Sequence, residues 1–170
     1  MNIKTSRITI TTFSPDMAQS VYENSQDEDT RRFVPDEVYD SVEEAREAIE
    51  FLMSQYDSVD GPFVYPVLTK DGQNIGYVQL CKLEDGSWEI GYHIAKAFTG
   101  KGYASEAVNA FLPAMAQKLN IKDVYGICFA ENTASVRVLE KCGFAQINKG
   151  SGIYQGKAAQ VVKFVWKLIS

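Results

Sequence analysis

IGYHIAKAFTGKGYASEA, residues Ile90–Ala107, reads as a β-strand, a Gly-Lys-Gly loop and the start of a helix. A helix N-terminus carries unpaired backbone N–H groups and the positive end of the helix dipole, so it attracts anions. Gly100 and Gly102 have no Cβ, which lets an anion lie against the peptide itself, and Lys101 adds a positive charge. A pyrophosphate fits such a loop. The better-known phosphate loops are absent. No Gly-Lys-Ser/Thr occurs in the chain, and the dinucleotide pattern G-x-G-x-x-G ends on Ser105. A strand, Gly-x-Gly and helix also form an ordinary tight connection, so the loop alone does not decide a ligand.

The 170 residues are enough for one domain that buries roughly two thirds of its unfolded surface. With 45% hydrophobic and 23% charged residues, a packed core is expected and disorder is not. The net charge of −5 argues against a nucleic-acid partner and mildly favours a cationic substrate. The N-terminus, MNIKTSRITITTF, lacks the apolar core of a signal peptide, and no apolar run reaches membrane-spanning length. A cytoplasmic protein with no membrane partner is expected. Cys81, Cys128 and Cys142 have no CxxC spacing and read as small core residues. With His93 as the sole histidine, a metal site is not expected.

Upstream, Arg7–Phe13 alternates apolar and polar residues as a half-buried strand does. Ser14-Pro15-Asp16 starts a short helix with Met17, Val21 and Tyr22 inward, and polar residues 25–40 read as a surface loop. Ser41 and Glu44 form a capping box for a helix to about Tyr56, with Val42, Ala45, Ile49, Leu52 and Met53 on its inner face. Strands at Phe63–Thr69, Asn74–Leu83 and Ser87–Ile94, joined by tight turns, form an antiparallel meander. Downstream, Tyr103 opens a helix lined by Ala104, Val108, Phe111, Leu112, Met115 and Leu119, with a kink expected at Pro113. A strand follows at Asp123–Phe129, and closing strands at Phe144–Asn148 and Gln160–Leu168 flank a Gly-rich connection.

The second informative segment is Glu131–Phe144, ENTASVRVLEKCGF. Asn132 is a good N-cap and Gly143 ends the helix. Ser135, Val138, Leu139 and Cys142 form an inward stripe, so the Ser135 hydroxyl belongs where this helix meets the sheet. A serine there also commonly bonds its own helix backbone.

Together, Ile90–Ala107 and Glu131–Phe144 resemble the acetyl-CoA site of GNAT-superfamily N-acetyltransferases. The N-x-x-S and E-K-C-G-F pieces are similar to the branch containing the ribosomal-protein N-terminal acetyltransferases. The resemblance spans nearly the whole chain. It implies a single-domain α/β fold with a mixed, mostly antiparallel sheet, helices on both sides, and splayed parallel strands at Ser87–Ile94 and Asp123–Phe129. It places the phosphate loop at Thr99, Gly100, Lys101, Gly102, Tyr103 and Ala104, with Thr99 departing from the family's Gln or Arg. It also assigns pantetheine pairing to backbone groups of Tyr92, His93 and Ile94, and adds Asn132 and Ser135 to the acetyl-CoA site.

Direct transfer to a primary amine in a ternary complex then needs a base and an acid. The resemblance assigns these roles to Glu89 and Ser135, and a backbone N–H near Tyr92 stabilises the oxyanion. His93 shares a face with Glu89 but sits about 13 Å along the strand, so a wall role is expected of it. Phe33, Tyr39, Phe51, Tyr56 and Tyr65 are candidates for an acceptor wall or for the core, and Asp27, Glu28 and Asp29 read as a solvated acidic loop. The acceptor expected from the branch is a protein N-terminus; a polyamine or aminoglycoside is the alternative. A non-catalytic acyl-CoA-binding module, which needs neither Glu89 nor Ser135, is the competing class. A monomer or homodimer is compatible with the fold.

Overall fold

The computed structural model describes residues 1–169. Its strands are β1 (Ile3–Lys4), β2 (Ile8–Ile10), β3 (Phe63–Thr69), β4 (Asn74–Lys82), β5 (Trp88–Ile94), β6 (Asp123–Phe129), β7 (Ala145–Tyr154) and β8 (Lys157–Lys167). They form one 8-stranded sheet in the order β1-β2-β3-β4-β5-β6-β8-β7. Only β5 and β6 run parallel, and they pair at Glu89↔Tyr125 alone. Beyond that pair the two strands splay, as expected.

The helices are α1 (Ala18–Asn24), α2 (Glu28–Phe33), α3 (Val42–Ser54), α4 (Tyr103–Leu119) and α5 (Thr133–Lys141). One sheet face packs on α4 and α5. There Val108, Phe111, Leu112, Met115 and Leu139 meet Val78, Leu80, Ile90 and Val124. Burying each large side chain stabilises the fold by about 1.5–3 kcal/mol. The other face carries α1 and α3, with Phe13, Ala18, Ile49 and Val64 as its smaller core. The helix through Pro113 is continuous. Both Pro113 and Asn109 are exposed, so water reaches the carbonyl that the proline leaves without its helical donor.

Three expectations need correction. The polar stretch 25–40 is not simply a loop, because it holds α2 and a 3-10 turn at Pro35–Glu37. Asp27 caps α2 by accepting from Thr30 N, so the acidic cluster is that helix's favourable first turn. The Gly-rich connection is itself strand: β7 and β8 form a hairpin turning at Gln155 (φ 53°) and Gly156 (φ 71°). Two consecutive positive φ values match the twist of a two-residue hairpin. Finally, Met53 and Phe51 are exposed, so neither belongs to the core or to an acceptor wall. Tyr56 and Tyr65 are stacked in the interior at 4.7 Å.

Candidate active site

Gly100 (φ 74°) and Gly102 (φ 81°) adopt left-handed backbone that an L side chain would strain. Gly102 is the N-cap of α4 and offers no side chain, leaving the first-turn N–H groups open toward an anion. They border a cleft of about 650 Å³ that runs between α2, β5 and the start of α5. A cradle with two left-handed glycines and an uncapped helix end suits a pyrophosphate. Thr99 lines the cleft but donates its hydroxyl to Lys96 O at 2.8 Å. Lys101 is not among the lining residues; its ammonium sits over the Phe98 ring and 3.5 Å from Ala97 O.

The loop is braced from behind by Arg7, which sequence reasoning missed. Its guanidinium donates to Lys101 O at 2.9 Å and to Glu106 at 2.6 Å, and lies 4.4 Å over the Tyr103 ring. Desolvation opposes ionisation of Glu106, but hydrogen bonds from Thr5 and Arg7 outweigh it and hold the carboxyl below its usual range. Arg7→Ala should raise the dissociation constant of a pyrophosphate-bearing ligand in this cleft by roughly threefold to tenfold through loss of these charge-assisted bonds. An unchanged dissociation constant by calorimetry would show that the brace is idle.

Where β5 and β6 part, a slot of about 200 Å³ passes between the two faces of the sheet. Glu89 and Gly91 border it from the α1–α3 side, and Ser135, Asn132 and Leu139 from the α5 side. The Ser135 hydroxyl bonds Tyr92 instead of its own helix backbone: its Oγ lies 2.9 Å from the Tyr92 hydroxyl, which donates to Ser135 O at 2.9 Å. Asn132 Oδ1 accepts from Ser135 N at 3.3 Å, fixing the first turn of α5. Glu89 Oε1 accepts from the Tyr154 hydroxyl at 3.0 Å, a partner brought by the β7–β8 hairpin. Burial lifts the Glu89 carboxyl above its ordinary value, and the Tyr154 bond and Lys163 charge oppose that rise. The Cys128 thiol beside the slot is pushed up to about 11 by burial, which keeps it protonated and unreactive at neutral pH.

His93 lies farther along β5 and lines the cleft beside α2. Thr30 donates its hydroxyl to Asp27 at 2.7 Å and so accepts from His93 Nε2, also at 2.7 Å. Nε2 therefore carries a proton and cannot take one from an amine. Burial holds the imidazole below its ordinary pKa despite Asp27 nearby, so the ring is neutral at pH 7. This contact ties α2 to the sheet.

A second cavity of about 250 Å³ lies between α1, α3 and the sheet. Glu37, Tyr77, Gln79 and Cys81 line both this cavity and the slot, so the two adjoin at these residues. Of the aromatic candidates, Tyr39 lines the cavity and Phe33 the slot and cleft. Among the described residues no cluster of His, Cys, Asp and Glu suits a metal ion, and no helix is long and apolar enough to cross a membrane.

Comparison with known proteins places the chain in a family. A family model described as an acetyltransferase (GNAT) domain matches residues 7–145. The uncharacterized N-acetyltransferase YnaD of Bacillus subtilis (strain 168) is 30% identical over 145 residues, covering 84% of this chain and 82% of YnaD. Two solved structures share the fold. The RimL ribosomal L7/L12 alpha-N-protein acetyltransferase, in complex with coenzyme A, has a TM-score of 0.84 at 16% identity, covering 99% of this chain and 98% of RimL. The microcin C7 self immunity acetyltransferase MccE, in complex with acetyl-CoA and AMP, has a TM-score of 0.82 at 19% identity, covering 96% and 94%.

Proposed function

Because the chain belongs to the GNAT acetyltransferase family, we propose that it moves the acetyl group of acetyl-CoA directly to a primary amine while both substrates are bound. The observation that carries this reading is the slot through the sheet, which joins the phosphate cradle's side of the molecule to Glu89. Acetyl-CoA supplies an activated thioester. Gly100, Gly102 and the first turn of α4 would hold its pyrophosphate, with Asn132 and Ser135 beside the arm. Backbone groups of β5 that point toward β6 beyond Glu89 have no strand partner, so an N–H there is available to the developing oxyanion.

Glu89 takes the amine's proton, directly or through one water, freeing the lone pair that forms the new C–N bond. As the C–S bond breaks, the electron pair stays on sulphur. Ser135 gives that sulphur a hydrogen bond, or a proton that solvent water restores, and Tyr92, whose own proton goes to Ser135 O, orients the Ser135 hydroxyl across their 2.9 Å contact. The branch resemblance favours a protein N-terminus as acceptor. The recessed cavity of about 250 Å³ favours a second reading, a small free amine.

Calorimetry with acetyl-CoA, followed by thiol-release assays over amines and N-terminal peptides, tests the reading. Transfer predicts thiol release that Ser135→Ala slows by roughly 10- to 100-fold, the worth of a hydrogen bond to a charged group. Tight acetyl-CoA binding with no release from any acceptor would leave a binding module instead.

A further inference from the structure

The cavity that adjoins the slot has a composition that narrows the acceptor. Most of its wall is apolar, built from Phe13, Val21, Ile49, Leu52 and Val64. Its one acidic side chain is Glu37, in the 3-10 turn that follows α2, at the junction with the slot. The register of β4 and β5 sets Cys81 opposite Glu89 and Gln79 opposite Gly91, so these residues share a face with the junction. Gly91 has a steric purpose there. A Cβ on it would stand 2.5 Å from Gln79 Nε2, so the missing side chain lets the Gln79 amide lie across β5. That amide is directed at the Glu37 carboxylate. Among the described residues, no Lys, Arg or His nitrogen lies within 4.0 Å of Glu37 or Glu89. Two carboxylates thus border one passage without a close cationic partner. The Cys81 thiol between them is pushed up to about 12, by burial first and then by both charges.

An ammonium group supplies the missing counter-charge, and the apolar wall specifies what is attached to it. Resting on the acetyl-transfer reading above, we propose that Glu37 is the acceptor-binding carboxylate, receiving the ammonium at the junction, and that the cavity selects primary amines with one compact apolar body. An aromatic ring or a branched aliphatic chain fits the space. A polyamine would place a second ammonium among Phe13, Val21, Ile49 and Leu52, where an unpaired charge is costly to bury. An aminoglycoside is too large and too polar for about 250 Å³ of mainly apolar space. The apolar body can belong to a free amine or to the first residue of a peptide.

The test uses the full chain, saturating acetyl-CoA and thiol release. The probes are phenethylamine, isoamylamine, ethylamine, spermidine, kanamycin and a hexapeptide beginning with Phe. The proposal expects phenethylamine, isoamylamine or the peptide to exceed spermidine and kanamycin by at least tenfold in kcat/KM. The free amines and the peptide distinguish the two sources of the same chemistry. The near-isosteric Glu37→Gln should raise KM for the preferred amine at least tenfold more than KM for acetyl-CoA, and Glu37→Asp should recover part of the loss. Leu52→Phe, which fills the cavity, should lower the phenethylamine-to-ethylamine preference at least tenfold.

A pH series adds a reading that a merely structural Glu37 would not move. Burial pushes its carboxyl up to about 7, with the Gln79 amide opposing and the Asp36 charge adding. The other titratable groups around the cavity and the junction are Tyr39 on the same segment, Glu44 on α3, Tyr77 and Cys81 on β4, Glu89 and His93 on β5, and Tyr154 on β7. As pH falls through about 7, Glu37 gains a proton and loses its charge, so KM for the amine rises there. Glu37→Gln should flatten that rise. Preference for spermidine or kanamycin, or an amine KM within twofold of the parent in Glu37→Gln, overturns the proposal while leaving acetyl transfer standing. No release from any acceptor overturns both.

Discussion

Glu89→Gln is expected to lower kcat/KM for the acceptor amine by roughly 10²- to 10⁴-fold, the usual worth of a general base. Calorimetric affinity for acetyl-CoA should stay within twofold of the parent. The glutamine keeps a group that accepts from the Tyr154 hydroxyl, so the β7–β8 hairpin is not released. It cannot take a proton from an amine. The pH profile carries the same logic. Burial raises the Glu89 carboxyl above its ordinary value, so protonation begins at higher pH than for a solvated glutamate. Below that pKa the carboxyl already holds a proton, and activity falls as pH falls. The parent should therefore show this acidic limb, and Glu89→Gln should lose the Glu89 component. A variant within threefold of the parent would remove Glu89 from the chemistry.

Gly76→Ala is expected to cost about 3 kcal/mol or more of stability, because it combines overpacking with backbone strain. A Cβ on Gly76 would stand 2.0 Å from the His93 carbonyl oxygen and 2.9 Å from its carbon. Both atoms are backbone of β5, where Gly76 pairs with Ile94, so no side-chain rotation relieves the contact. For a chain of this size the loss corresponds to a fall in Tm of roughly 6–12 °C. Because the contact pushes on β5 beside the splayed region, acetyl-CoA affinity should fall as well. Thermal melts with and without acetyl-CoA measure both effects. A Tm within 2 °C of the parent would mean that β4 and β5 separate there at little cost.

Features whose signal is local were legible in the sequence. The loop at Gly100 and Gly102, the Asn132 cap and the three meander strands lie where turn chemistry and periodicity put them. The helix α2 was hidden because its six residues have no apolar period. Its identifying signal is the Asp27 cap, and much of its anchorage comes from a contact between Thr30 and His93. The first half of β7 was read as a closing strand, and its continuation was hidden because Gly150 and Gly152 weaken the pattern on an edge that buries little. The site divides the same way. Ser135 and Asn132 belong to one turn of helix, whereas Tyr92 with Ser135, Tyr154 with Glu89 and Arg7 with Glu106 are pairs that only the folded topology creates. Glu37 carried no motif at all. Its meaning comes from the cavity it borders.

Helix α2 and the turn after it have one more consequence. On the proposed reading, Asp27, Asp29, Arg32 and Phe33 face the donor cleft, Glu37 faces the acceptor cavity, and Thr30 borders both. Exposed ion pairs join α2 to both lips of the cleft, Arg32 to Glu131 at 2.7 Å and Asp29 to Lys96 at 3.7 Å. One short segment therefore serves as a party wall between two tenants. Any displacement that improves the fit of one substrate is transmitted to the room of the other. Thermodynamic reciprocity then makes the traffic symmetrical: the factor by which bound acetyl-CoA changes the dissociation constant of the amine is the factor by which the amine changes that of acetyl-CoA.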